Sequence, residues 1–186
     1  ITLVGTTVLE NHQLDIERQL ETVLGRAEID IDIEDIGRID ESPYGGTVIT
    51  NSFNLGPLLG FPDLQAVTAD VRVDGSGFDR ETVNTLIQGR VDSLRFRDYN
   101  YTNIDVAGTF RKPEFNGKVK IDDPNLKMDF NGLVDITQTF NQYDFTANVE
   151  YMELNQLNLF KRDSRSICSG DVYMKLAGTS EDDVQG

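Results

Sequence analysis

The sequence predicts an all-β protein: a long-stranded antiparallel curled sheet with few short helical turns. Three observations carry this. Apolar and polar residues alternate with a period of two over much of the 186-residue chain. Clusters of Pro, Asp, Asn and Gly separate the alternating runs, by gaps too short for a parallel crossover. Helical periodicity is confined to short stretches.

The clearest alternation is Ala27 to Glu34. Ala27, Ile29, Ile31 and Ile33 share one parity, and Glu28, Asp30, Asp32 and Glu34 share the other. A strand sends successive side chains to opposite faces, so this segment has an apolar face and an acidic one. A helix would scatter the isoleucines around its circumference. The second half is denser: Ile104, Val106, Gly108 and Phe110 share a face, as do Leu126, Met128 and Phe130, and Val172, Met174 and Leu176. Turn signals between runs include Lys112-Pro113, Asp122-Asp123-Pro124-Asn125 and Phe140-Asn141-Gln142.

Residues 86–153 therefore read as an antiparallel meander. Residues 1–85 read as a more irregular β section with two copies of a motif, and 154–186 as its third copy, all within one elongated β-domain. Asp15 to Leu24 is expected to form a short helix, with Ile16, Leu20, Val23 and Leu24 on one side. Leu55 to Leu64 carries Gly56, Pro57, Gly60 and Pro62 and holds at most one helical turn at a time. Leu154 to Phe160 is a third short apolar segment.

Two repeats organise the strands. Phe115-Asn116-Gly117-Lys118-Val119-Lys120-Ile121 recurs 15 residues on as Phe130-Asn131-Gly132-Leu133-Val134-Asp135-Ile136, and more loosely as Phe145 to Tyr151. Glycine weakens a strand and marks a bend or a close approach. Stacked on neighbouring strands, these glycines would form a line along which the sheet curls. The second repeat is the motif copied at Leu20 to Gly37, Leu64 to Asp79, and from Gly170 onward. Its strand starts are Ala27, Ala69 and Gly170.

Composition excludes several functions. Seventeen Lys and Arg against 32 Asp and Glu give a net charge of −15. Such a chain repels nucleic-acid phosphates and anionic lipid headgroups, which argues against a nucleic-acid module and against a peripheral polybasic anchor. No run approaches the roughly 20 apolar residues of a membrane span. Cys168 is the single cysteine and reads as a small packed or sheet-facing residue; His12 is the single histidine. Gly75-Ser76-Gly77 lacks the rest of a dinucleotide or phosphate loop. Asp74, Ser76 and Asp79 lack EF-hand spacing, so a strand-ending turn is favoured over a calcium site. No catalytic residue, cofactor or metal site is predicted.

An amphipathic sheet must cover its apolar face. One solution is a second sheet, making a closed β-sandwich that acts as a structural or interaction module. The other is a curled, groove-like sheet whose apolar trough takes a ligand. An acyl chain suits a trough, since each buried methylene contributes about 0.8 kcal/mol. The expected lining is Val119, Ile121, Met128, Phe130, Val134, Phe145 and Val149.

Several segments resemble the TamB-like translocation and assembly module subunits of Bacteroidetes, within the AsmA-like superfamily. They are Gly37 to Asp40, Asp74 to Asp79, Asp122 to Asp135 and Leu176 to Gly186, in that order. The resemblance implies a β-taco, a curled sheet with a hydrophobic groove, in a protein with no catalytic residues. It implies a periplasmic segment of an inner-membrane-anchored protein of a diderm bacterium. It further implies phospholipid acyl chains as ligand, in phospholipid transport to the outer membrane or protein assembly there. A BamA-like outer-membrane partner would dock through regions outside this chain.

Overall fold

The computed structural model describes residues 2–38, 41–59, 62–78, 82–111, 114–135, 141–159 and 166–178. Eleven strands run through them: β1 (Thr2–Glu10), β2 (Gln13–Thr22), β3 (Gly25–Ile33), β4 (Pro43–Asn54), β5 (Leu64–Ser76), β6 (Asn84–Phe96), β7 (Tyr99–Arg111), β8 (Glu114–Asp123), β9 (Leu126–Asp135), β10 (Asn141–Glu153) and β11 (Ile167–Gly178). Each pairs antiparallel with the next in chain order, giving one sheet that does not close into a barrel. The protein is thus all-β, with an open, curled, antiparallel sheet. Strands β5, β6, β7 and β10 have 13 residues each, or about 43 Å at the standard rise. The antiparallel order expected for 86–153 extends through β1 to β11. Among the described residues there is one sheet, not the two of a sandwich.

Period-two alternation becomes two faces because the register holds along mid-strand rows from β2 to β11. One row of directly opposed residues runs Arg18, Ile29, Val48, Val71, Gly89, Val106, Val119, Phe130, Ala147 and Val172, from β2 to β11. The adjacent row on the same face runs Ile16, Ile31, Gly46, Val73, Ile87, Gly108, Gly117, Gly132, Phe145 and Met174. The other face is polar, and its side chains, Glu28, Asp30, Asp105, Lys120 and Asp129 among them, are exposed.

A bulge at Ser52 preserves this segregation on β4. Ser52 (φ 49°) and Asn103 (φ 52°) adopt left-handed backbone conformations. At Ser52 the β4–β5 register shifts between Thr50 and Phe53. The extra residue returns Phe53 to the apolar side, where it is buried.

The expected helix at Asp15–Leu24 is instead strand β2. Its Leu14, Ile16, Arg18 and Leu20 are half-buried while the residues between them are exposed. An isolated amphipathic stretch of this length satisfies either period; pairing with both β1 and β3 decides for the strand. Leu55 to Leu64 does hold a single helical turn, α1 (Gly56–Leu59). Leu154 to Leu159 forms turns, and Phe160 lies outside the described residues. Cys168 sits in strand β11 but is an exposed free thiol, not a packed residue. Among the described residues β11 is the last strand of the order.

The most buried apolar side chains gather toward one end of the sheet. Phe53, Val67, Ile104, Leu126 and Val149 are all buried there. Leu157, in the turn after β10, has 0% of its surface exposed. That turn reaches across the strand ends: the Asn158 Nδ2 donates to the Arg97 carbonyl oxygen at 3.2 Å. Toward mid-strand most residues of the apolar rows are half-buried, although Ala147 and Gly108 are buried and Val172 is exposed.

Candidate functional site

The seven expected lining residues fall on one face as a single patch. Val119 lies directly opposite Phe130, Ile121 opposite Met128, and Met128 opposite Val149. The Phe130 and Phe145 rings meet with centroids 5.1 Å apart and planes tilted by 41°. Val134 stands between Phe115 and Tyr143. Val149 is buried; the other six are half-buried.

The 15-residue repeat explains how the patch is shaped. Antiparallel pairing inverts successive copies, so Phe115 faces Val134, Gly117 faces Gly132 and Val119 faces Phe130. Gly108 on β7 joins the line opposite Gly117. A Cβ on Gly108 would come within 2.8 Å of Cε2 of Phe115, and one on Gly117 within 3.0 Å of its Cζ. The Phe115 ring thus lies across the space the glycines leave. An aromatic covering neighbouring glycines restores the apolar contact that glycine lacks. Beyond Gly132 the third copy is offset: Gly132 faces Phe145, not Ala147. Ile136, the last residue of the second copy, lies outside the described residues.

A buried polar cluster closes one end of the apolar face. Asp123 is 1% exposed and shares its face with Ile121 and Val119. Its Oδ2 accepts from the Thr102 backbone N–H at 2.9 Å and the Thr102 hydroxyl at 2.8 Å. Its Oδ1 accepts from the Tyr99 hydroxyl and from the Asn125 N–H, the latter at 2.8 Å. Asn125 Nδ2 donates in turn to the Tyr99 hydroxyl oxygen at 3.0 Å. Four donors satisfy the carboxylate, as burial demands. Burial, then the bond to Asp123, pushes the Tyr99 phenol up to about 12. This cluster ties β7 to the β8–β9 turn, so its role is to hold that end of the sheet. The turn signal Asp122-Asp123-Pro124-Asn125 pointed to a turn, but not to a carboxylate bonded across strands.

A concavity of about 1040 Å³ spans β6 to β11, and its lining takes in Gly89, Val106, Val119, Phe130, Ala147 and Val172 together with the polar-parity residues on either side of them. One wall is Gln88, Ala107, Lys118, Asn131, Thr146 and Tyr173; the other is Arg90, Asp105, Lys120, Asp129, Asn148 and Asp171. The second wall is paired within itself. Arg90 lies 3.7 Å from Asp105, Lys120 lies 3.9 Å from Asp129, and Asn148 donates to Asp171 at 2.7 Å. Arg90 and Lys120 offset two of its three carboxylates across strands, as on an ordinary solvated sheet surface, and Asp171 leaves one net negative charge. Alternation alone does not reveal this concavity, because it depends on how six strands sit together.

The motif residues Asp74 and Ser76 lie at the end of β5, opposite Leu86 and Asn84; Asp79 lies outside the described residues. Among the described residues no group of three or more His, Cys, Asp or Glu is placed to hold a metal ion, and no helix is long and apolar enough to cross a membrane.

The fold and this site define an open, single-sheet β protein with one continuous apolar face. No family model matches the chain, and neither does any curated protein or solved structure with which it was compared.

Proposed function

We propose that the apolar face carries phospholipid acyl chains, and that the chain is a non-catalytic periplasmic segment of a TamB-like envelope protein. In this reading it serves phospholipid transport to the outer membrane or protein assembly there, with the BamA-like partner engaged elsewhere. One observation supports it above the rest. The apolar face runs in register across neighbouring strands, yet most of its middle is only half-buried. A face of that extent calls for a ligand or a partner. Acyl chains meet the demand without specific polar contacts, because their contribution scales with the area removed from water.

The test is photo-crosslinking in cells from Met128 or Val134. Phospholipid adducts are expected at both positions. Crosslinks to protein alone would replace the lipid reading with that of a structural or interaction module, whose apolar face docks another polypeptide.

A further inference from the structure

We infer that Arg18 is an anion anchor on the apolar face, holding the phosphate of an amphiphile whose acyl chain lies along the neighbouring row. This rests on the lipid reading above and specifies it: the ligand is anionic and its head is placed.

Arg18 belongs to the apolar parity of β2, between Ile16 and Leu20 and opposite Ile29 on β3. Among the described residues it is the only cation on the apolar face of the strands. It makes no ion pair there. Its guanidinium lies toward β1, where Nε donates to Thr7 Oγ1 at 2.9 Å, Nη2 donates to the same oxygen, and Nη1 donates to the Gly5 carbonyl oxygen at 3.1 Å. Three of its five N–H donors are thereby used. One remains on each terminal nitrogen, and the positive charge is not neutralised. Each of these N–H groups can donate to an oxygen of a phosphate in a charge-assisted hydrogen bond.

The surroundings select what else the ligand carries. From Arg18 the row continues over Ile29, Val48 and Val71, each strand adding about 4.8 Å. Three such steps give roughly 14 Å of apolar track leading away from the charge. A free phosphate would leave that track unused; a phosphate bearing an acyl chain uses both. The competing account is that an inward-pointing charge beside edge strand β1 discourages edge-to-edge association.

The experiment titrates the full 186-residue chain with three probes, the two lipids below their aggregation concentrations. The probes are a monoacyl phosphate, a monoacylglycerol of equal chain length, and inorganic phosphate. Wild type, Arg18→Gln and Arg18→Lys are compared, with sedimentation to follow self-association. Wild type should bind the monoacyl phosphate roughly tenfold or more tighter than the monoacylglycerol, and inorganic phosphate far more weakly. Arg18→Gln should equalise the two lipids without changing monoacylglycerol affinity, and Arg18→Lys should keep part of the preference. Equal lipid affinities in wild type, or a preference that survives in Arg18→Gln, would overturn the anchor and leave the lipid reading standing. Greater self-association of Arg18→Gln with its preference intact would do the same and favour edge protection. Inorganic phosphate binding as tightly as the lipid would overturn the acyl part. If neither lipid binds wild type, the lipid reading falls together with the anchor. Should Arg18→Gln fail to fold, salt decides: a guanidinium anchor loses its preference as ionic strength rises, and a preference indifferent to salt overturns it.

Discussion

Gly117 stands directly opposite Gly108, and a Cβ on Gly117 would lie 2.4 Å from the Gly108 α-carbon. The strands meet too closely there for any side chain. Gly117→Ala should therefore cost about 1–3 kcal/mol, as overpacking does, although alanine is ordinarily the better strand residue. Gly45→Ala is the control, because the nearest atom to its Cβ is 4.0 Å away. It should be neutral or stabilising by less than about 1 kcal/mol. Urea midpoints of the two variants check this, and equal midpoints would remove the steric account of the glycine line.

Asp123 and Tyr99 should behave as one unit. Tyr99→Phe removes one donor to a buried carboxylate and should cost about 1.5–3 kcal/mol. Asp123→Asn turns a donor toward donors and should cost about 2–4 kcal/mol. The double variant should fall short of the sum by at least about 0.5 kcal/mol, the signature of direct coupling. Strict additivity would mean that the hydroxyl–carboxylate bond contributes nothing to stability.

The same cluster gives a pH dependence. An unfolded tyrosine ionises near pH 10, whereas burial and the bond to Asp123 raise Tyr99 to about 12 in the folded chain. Burial and the Asp123 charge raise Tyr101 as well. Between about pH 10 and 12 the unfolded state has lost a proton that the folded state keeps, so stability falls as pH rises. Below pH 10 this contribution is fully present. Denaturant midpoints across the window should decline in wild type and decline less in Tyr99→Phe.

Two charged substitutions on one face should separate its packed end from its open middle. Val149 is 8% exposed, so Val149→Asp buries an unpaired carboxylate and should unfold the chain or cost more than about 3 kcal/mol. Val134 is half-buried, so Val134→Asp should leave the chain folded while lowering the binding of an apolar dye. Circular dichroism and dye fluorescence read both effects. Unfolding of both variants alike would mean that the mid-strand face is packed as tightly as the core.

Much of the fold was legible in the residues, because period two is a local property. Ala27 to Glu34 declares two faces without reference to any other strand, and so do the runs through β7 to β11. The seven lining residues share a face for the same reason. The repeat at 15 residues announced aligned glycines. It did not show that pairing inverts the copies, setting Phe115 against Val134 and bringing Gly108 into the line.

What only tertiary structure decided is where local signals compete or fall silent. Asp15 to Leu24 satisfies two periods, and pairing with β1 and β3 selects the strand. Read as a strand, its parity exposes Arg18 as the charge among apolar residues; read as a helix, it hides it. Cys168 looks packed by alternation and is exposed in β11, the last strand of the order. The bulge at Ser52, the donors around Asp123 and the concavity across β6 to β11 all depend on register, which is set by turns and partners far apart in the chain. Alternation by itself determined that this protein has an apolar face and a polar one. Pairing determined that the strands lie in a single open sheet, which leaves the middle of the apolar face half-covered.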